Sequence, residues 1–438
     1  MPIKSHPLLS SNDQPFAVHD GRLLSRGELW ADVRALAEKL PDRPYVFNLC
    51  ENRYLFCICL LAAATRGQIC LLPPSGRPAV IADILKDYPR ALVACDKFQA
   101  YDFDTVHIAA PRTGNPASAP EYDWAKPSVI AFTSGSTGKP KPCVHSLETF
   151  GISAGMAVRA LDLTNRRLSM VSTTPQQHMY GLETSVFWPL FSELVLYDER
   201  PFFPEDIRLC IAGAPYPALL LTTPTHLRTL VKTEGRWPNL AGVISATDTL
   251  SERAAREIAA ILGQSPREIY GSTETLSFAC RDTLRTALWQ PYAGVKIIRS
   301  ADRTLLESPH LPSPVRLQDT LEPQADGRFD VLGRNADMVK IGGKRTSLSE
   351  LNKRLTDIEG VEDGFCLLQT TGKNAGRLAA VVVSHLDKPS IRKRLLVHLD
   401  EVFVPKTIYF VEAIERCATG KLSLAAREKL LAELGGDV

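Results

Sequence analysis

Short apolar runs of four or five residues recur through the first three-quarters of the chain, each separated from the next by a stretch with helical spacing. Tyr45–Leu49, Gln68–Leu72 and Ala91–Cys95 read as strands, and Gly27–Leu40, Asn52–Thr65 and Ala79–Asp87 as helices. Strands joined by helices of this length must cross over right-handedly into a parallel sheet, which restricts the fold to the α/β class. Pro111–Pro127 reads as a surface connection, after which the alternation resumes and runs to about Tyr270. Near Ser308 the character changes: prolines, turn residues and short apolar runs predict hairpins. From Lys340 the pattern restarts with a helix over Ser347–Ile358, strands over Gly364–Gln369 and Leu378–Ser384, and a helix over Ile391–Leu399. That last stretch of about 100 residues has the size of a separate α+β domain. With 438 residues the chain is too long for one compact core.

Composition narrows the function classes. Lys and Arg total 51 against 49 Asp and Glu, so the basic excess of a nucleic-acid binder is missing. The ten cysteines include no C-x-x-C pair, so neither a zinc site nor a disulfide framework is signalled, and reduced thiols in apolar surroundings are expected. The longest apolar run, Leu55 to Thr65, falls short of the roughly 20 residues of a membrane span and predicts a buried helix. The N-terminal stretch lacks the apolar core of a signal peptide, and the expectation is a soluble, cytoplasmic protein without a membrane span or nucleic-acid partner.

The sharpest local feature is VIAFTSGSTGKPK, residues 129–141. An apolar strand runs into Thr133, Ser134, Gly135, Ser136, Thr137, Gly138, Lys139, Pro140 and Lys141. Glycines and small hydroxyl residues let the backbone approach an anion, while N–H groups, hydroxyls and lysines supply donors and positive charge. A flexible surface turn is the plainer alternative, disfavoured by two lysines and four hydroxyls around two glycines. A Walker A loop is excluded: position 133 is Thr where that pattern needs Gly, and Lys139 precedes Pro140 where it needs Ser or Thr.

This loop resembles the phosphate loop of the adenylate-forming superfamily, which includes acyl- and aryl-CoA synthetases, peptide-synthetase adenylation domains and firefly luciferase. Further blocks follow in that family's order. Leu71-Leu72-Pro73-Pro74, PQQHMYG (175–181), Pro224-Thr225, ISATDTL (244–250), IYGSTET (269–275), Asp319, LGRNADMVKIGGKR (332–345) and ATGK (418–421) each resemble a family block. Departures are Thr247-Asp248 in the adenine loop, the absence of Thr-Gly before Asp319, Arg416-Cys417 where a proline often sits, and a shorter N-terminal domain.

The resemblance implies an α/β fold with a large N-terminal domain, 1–335, of two packed mostly parallel sheets plus a small barrel-like subdomain. A small mobile α+β C-terminal domain, 336–438, would follow. It implies a ligase that joins ATP and a carboxylic acid into an acyl- or aryl-adenylate, releases pyrophosphate and passes the acyl group to a thiol. The thiol would belong to coenzyme A or to the phosphopantetheine of an acyl carrier protein supplied in trans, since only 17 residues follow Lys421. In that frame the Thr133–Lys141 loop holds the ATP phosphates, and Glu274 with Thr137 holds Mg2+, a hard cation that takes oxygen ligands. Thr273 faces the α-phosphate, Ala246, Thr247, Tyr270 and Gly271 border the adenine, and Asp319 with Arg334 binds the ribose. Lys421 places its charge between carboxylate and α-phosphate. Asp337 marks the hinge, Gly342-Gly343-Lys344-Arg345 lies on the second face of the small domain, and His178, Tyr180 and Thr247 line the acid pocket.

Plainer roles exist for these residues one at a time. Glu274 could be a helix-start carboxylate, Asp319 a turn cap, Lys421 a surface lysine, and His178 a hydrogen-bonded core residue. Their ordered occurrence favours the site. Amino-acid-activating domains usually carry a Phe-Asp pair in this block, which here reads His-Met-Tyr-Gly (178–181), so an uncharged acyl or aryl acid is the expected substrate. Two alternatives stay open at this point: a ligase dedicated to a carrier protein, and a nucleotide-binding homologue without turnover.

Overall fold

The computed structural model describes residues 12–97, 103–109, 115–134, 140–233, 235–300, 303–334, 337–341, 344–369, 377–416, 422 and 424–434. The alternation seen in the sequence becomes two large sheets. One has six strands, in spatial order Thr105–His107, Leu92–Cys95, Tyr45–Asn48, Ile69–Leu72, Pro127–Ser134 and Pro140–Ser146. Its neighbours pair in parallel except for the last, which returns antiparallel. Pro140 and Pro142 fit there because an edge strand has one side free of ladder bonds. The second sheet has nine strands, and the five from Val195–Tyr197 through Ser169–Ser172, Ala218–Thr222 and Leu240–Ser245 to Pro266–Ser272 are mutually parallel.

Between the sheets lie the helices Arg26–Lys39, Arg53–Thr65 and Leu147–Ala160, sharing one apolar core with both. The middle helix is apolar nearly all round, as a helix buried on every side must be. Local chemistry sets the starts: Ser25 and Glu28 form a capping box, and Asn52 accepts from the amides of Tyr54 and Leu55. The helices Pro204–Gly213, Pro224–Leu230 and Glu252–Leu262 cover the outer face of the nine-stranded sheet around a second core. Every described cysteine is buried and unbridged; Cys417 lies outside the described residues. Among those residues no helix is long and apolar enough to cross a membrane.

The change to hairpins comes earlier than the expected Ser308. Pro266–Ser272 already pairs antiparallel with Leu276–Asp282, and Lys296–Ser300 with Arg303–Glu307. The turn residues at 273–275 are too few to announce themselves as a change of pattern. Two small antiparallel sheets at this corner surround Phe278, Trp289, Leu306, Leu321 and Phe329. Residues from Val339 onward build a further core of their own, with a three-stranded sheet and the helices Leu348–Thr356 and Lys388–Leu395. Among the bonds that join this C-terminal unit to the rest are an exposed pair, Lys232 to Glu362 at 2.9 Å, and Arg253 donating to the Thr356 carbonyl at 3.3 Å. An exposed pair of this kind contributes only about 0–1 kcal/mol and exchanges easily.

Candidate active site

The carboxyl ends of parallel strands are where an open α/β sheet presents its loops to a ligand. Four such ends carry the sequence blocks singled out above. Pro127–Ser134 enters the phosphate loop, Ser169–Ser172 leads to His178, Leu240–Ser245 leads to Ala246 and Thr247, and Pro266–Ser272 leads to Thr273 and Glu274. Gly135, Ser136, Thr137, Gly138 and Lys139 lie outside the described residues, as do the side chains of Ser134 and Arg334, residues Gly342 and Gly343, the side chain of Arg345, and Lys421.

The phosphate loop is the tip of a hairpin. Thr133 pairs with Lys141 and Ser134 with Pro140, and the Thr133 hydroxyl donates to the Lys141 carbonyl at 3.4 Å. A Walker A loop runs from strand into helix; here the chain returns as a strand, and the helix starts only at Leu147, capped by Ser146. The exposed Lys141 and the Glu274 carboxylate both act on Cys143. Burial, then Glu274, push its thiol up to about 11, and Lys141 pulls it down. His145, two residues further along the same strand, meets the Thr273 carbonyl at 2.7 Å, so Glu274 stands beside that strand, 131 positions after Cys143 in the sequence. It sits in a turn between two antiparallel strands, which removes the helix-start role considered for it.

That turn is tightly determined. Gly271 allows it, since a Cβ there would stand 2.0 Å from the Leu276 carbonyl oxygen. Thr275 accepts from the Ser272 amide at 3.0 Å, and Leu276 takes a φ of 53°. Three buried side chains from elsewhere hold it. His145 Nε2 meets the Thr273 carbonyl at 2.7 Å, and His310 Nε2 meets the Thr275 carbonyl at 2.6 Å. Glu183 accepts from the Ser277 amide at 2.9 Å and from the Ser277 hydroxyl. Burial lowers both histidines below their ordinary value and raises Glu183, whose bonds from Ser277 and Ser153 pull it back. Nothing in the sequence marks these three; SPHLPSP (308–314) reads as a turn, and Glu183 falls in an apolar helix.

Before that turn, Tyr270 and Asp319 meet: the phenol donates to the Asp319 carboxylate. Asp319 opens a strand and pairs there with Arg334, so it is not a turn cap. The Tyr270 ring packs against Phe278, Trp289 and Phe329, at centroid distances of 5.2, 5.1 and 5.9 Å. Thr247 takes a φ of 80°, an outlier for a β-branched residue and the price of standing where glycine would adopt that angle freely. The same loop is anchored at Leu250, whose amide donates to Glu268 at 2.8 Å and whose carbonyl accepts from Arg281 at 3.4 Å.

His178 and Tyr180 begin the short helix Met179–Leu182, and the Tyr180 hydroxyl donates to the Ile244 carbonyl at 2.9 Å, tying this segment to the adenine-loop strand. Gly181 is needed there because a Cβ would stand 2.1 Å from the Pro175 carbonyl oxygen. At the far end, Asp337 is half-buried just beyond Gly333. Arg416, ahead of Lys421, makes a two-bond clamp on Asp363 at 2.8 and 2.6 Å.

The described residues thus bring the two strands that flank 135–139, the turn that carries Glu274 and the Tyr270–Asp319 pair into one region. Residues 9–300 match the model of the AMP-binding enzyme family. The chain belongs to that family, and with it to the adenylate-forming superfamily. It is 25% identical over 334 residues to a 2-succinylbenzoate–CoA ligase of Listeria monocytogenes, covering 70% of this chain and 71% of that one. It is 25% identical over 452 residues to the nonribosomal peptide synthetase-like enzyme fsqF of Aspergillus fumigatus; there 84% of this chain spans 30% of the relative's length. In fold it is similar to ATP-bound MatB from Rhodopseudomonas palustris, with a TM-score of 0.81, 19% identity, and 96% of this chain and 97% of that one covered.

Proposed function

We propose that the protein activates an uncharged acyl or aryl acid with ATP and passes the acyl group to a thiol. The observation that carries this reading is the bond from His145, on the strand after the phosphate loop, to the Thr273 carbonyl next to Glu274, with Tyr270 and Asp319 joined just before that turn. In the first step a carboxylate oxygen attacks the α-phosphorus, the bond from that phosphorus to the bridging oxygen breaks, and pyrophosphate leaves. Such displacements ask a protein for positioning and charge stabilisation. The hairpin loop and Lys141 would hold the β- and γ-phosphates, Thr273 the α-phosphate, and Asp319 with Arg334 the ribose. The adenine would lie against Ala246, Thr247, Tyr270 and Gly271.

The half-exposed Glu274 carboxylate suits a hard divalent cation, and Mg2+ held there with Thr137 would neutralise phosphate charge. Lys421 would bridge carboxylate and α-phosphate as negative charge builds. The unit 336–438 would then swing about Asp337 on the unit 1–335, turning residues 342–345 toward the site and admitting the thiol. Weak contacts between the two units, such as Lys232–Glu362, suit that motion. His178 and Tyr180 would border the acid, and the absence of a carboxylate in that block favours an acid without an ammonium group. Coenzyme A is the first candidate acceptor, by likeness to the CoA ligase. A carrier-protein phosphopantetheine is the second, favoured by the likeness to a peptide-synthetase-like enzyme.

Pyrophosphate release from Mg-ATP, measured across aryl, short-chain and long-chain acids, tests the reading. Release for one acid class should fall about a hundredfold or more in Lys421→Ala, and coenzyme A or a carrier protein should accelerate it. ATP binding without release for any acid would instead mark a nucleotide-binding homologue without turnover.

A further inference from the structure

His145 and His310 reach the same turn from different parts of the chain. His145 lies on the strand that leaves the phosphate loop, four residues after Lys141, and is 6% exposed. His310 comes from the loop after Arg303–Glu307 and is 3% exposed. A carbonyl oxygen only accepts, so each Nε2 must carry the proton. In His310 the Nδ1 left unprotonated by this tautomer accepts from the Ser308 hydroxyl at 2.8 Å. The two accepting carbonyls, Thr273 and Thr275, bracket Glu274 on its two sides.

Such a pair does more than satisfy two carbonyls. Backbone carbonyls at a hairpin tip ordinarily turn to water, and pinning both removes the freedom of the peptide units on either side of the glutamate. The pinning also has a direction. His145 ties the turn to the strand of Lys141. His310 ties it to the corner that carries Asp319. Glu183, through Ser277, fixes the start of the outgoing strand.

We propose that His145 and His310 are positioning residues, two Nε2–H donors that set the Thr273–Thr275 turn and thereby aim the Glu274 carboxylate at the cation on the ATP phosphates. The proposal rests on the nucleotide-activating reading above and adds residues to it. Supporting groups behind a ligand typically change metal affinity by about ten- to a hundredfold when removed. Glutamine keeps a neutral N–H donor near the place of Nε2, whereas leucine keeps bulk and removes the donor.

The test uses the full-length protein with Mn2+ as the metal probe and ATP present. Mn2+ affinity in the ATP complex, read by water-proton relaxation, should fall roughly tenfold in His145→Leu and in His310→Leu and stay within about threefold of native in the two glutamine variants. The Mg2+ concentration for half-maximal pyrophosphate release should rise in parallel, with the half-saturating acid concentration unchanged. Unaltered Mn2+ affinity in both leucine variants would overturn the proposal, leaving the histidines a packing role. A second readout does not depend on the leucine variants folding. Imidazole 15N spectra of the native protein, assigned with the glutamine variants, should show both rings protonated at Nε2, and an Nδ1–H form of either ring overturns the clamp. Native Mn2+–ATP binding with no pyrophosphate release for any acid would refute the reaction and leave the clamp measurable. No native Mn2+–ATP binding would overturn both.

Discussion

Replacing Arg281 by Met leaves the Glu268 carboxylate without its countercharge inside the nine-stranded sheet. The side chains of Glu268 and Arg281 are 1% and 4% exposed, with Nη2 2.5 Å and Nε 2.7 Å from Oε2. Removing one partner of a buried pair costs about 3–5 kcal/mol, because the remaining charge is stranded. Two donors stay on Glu268, the Leu250 amide at 2.8 Å and the Thr283 hydroxyl at 2.7 Å, which places the loss near the lower end, at about 3 kcal/mol. Arg281 also lies over the Trp289 ring at 4.4 Å, but a methionine sulfur there recovers much of that contact, so its loss adds little. Urea unfolding followed by tryptophan fluorescence measures the difference. The double variant Glu268→Gln with Arg281→Met removes the stranded charge and should be more stable than Arg281→Met alone by at least about 1 kcal/mol. Because Leu250 ends the adenine loop, the half-saturating ATP concentration should rise with the stability loss. A cost below about 1 kcal/mol, or a double variant as unstable as the sum of its singles, would refute the reasoning.

Tyr270→Phe removes the donor to Asp319 and should raise the half-saturating ATP concentration roughly five- to tenfold, the loss of one hydrogen bond to a charged group, with the acid's unchanged. Thr247→Gly relieves the φ of 80° and should raise stability by about 1 kcal/mol in the same urea assay. Gly333 has a φ of 117°, and a Cβ there would stand 2.4 Å from the Ser347 Cβ at the start of the helix Leu348–Thr356. Gly333→Ala should therefore destabilise by about 1–3 kcal/mol, and should slow thiol transfer more than pyrophosphate release.

The sequence made local order plain and distant pairing obscure. Strand and helix positions followed from apolar spacing, which put two helix starts at Gly27 and Asn52, each within one residue of the observed Arg26 and Arg53. The family blocks were legible because each is contiguous in the sequence. What stayed hidden is held by pairs far apart in the chain. His145 and Thr273 are 128 residues apart, and Glu183 and Ser277 are 94 apart. Histidine or glutamate in an apolar stretch has the same local pattern whether it pins a turn or fills a core. The hairpin form of the phosphate loop was hidden for another reason. Pro140 and Pro142 argue against a strand unless that strand lies at a sheet edge, and edge position is decided by topology. Glu268 and Arg281 face each other only because Pro266–Ser272 turns back on itself, a reversal that 273–275 does not advertise.

The central claim is attack of a carboxylate oxygen on the α-phosphorus of ATP, and transfer of 18O tests it most directly. An acid active in pyrophosphate release, labelled in its carboxyl group, is incubated with Mg-ATP and the thiol acceptor, and the nucleotide product is weighed by mass spectrometry. The account predicts AMP carrying one labelled oxygen, because that oxygen stays on phosphorus when the acyl group leaves for the thiol. Unlabelled AMP, or ADP in its place, would contradict it.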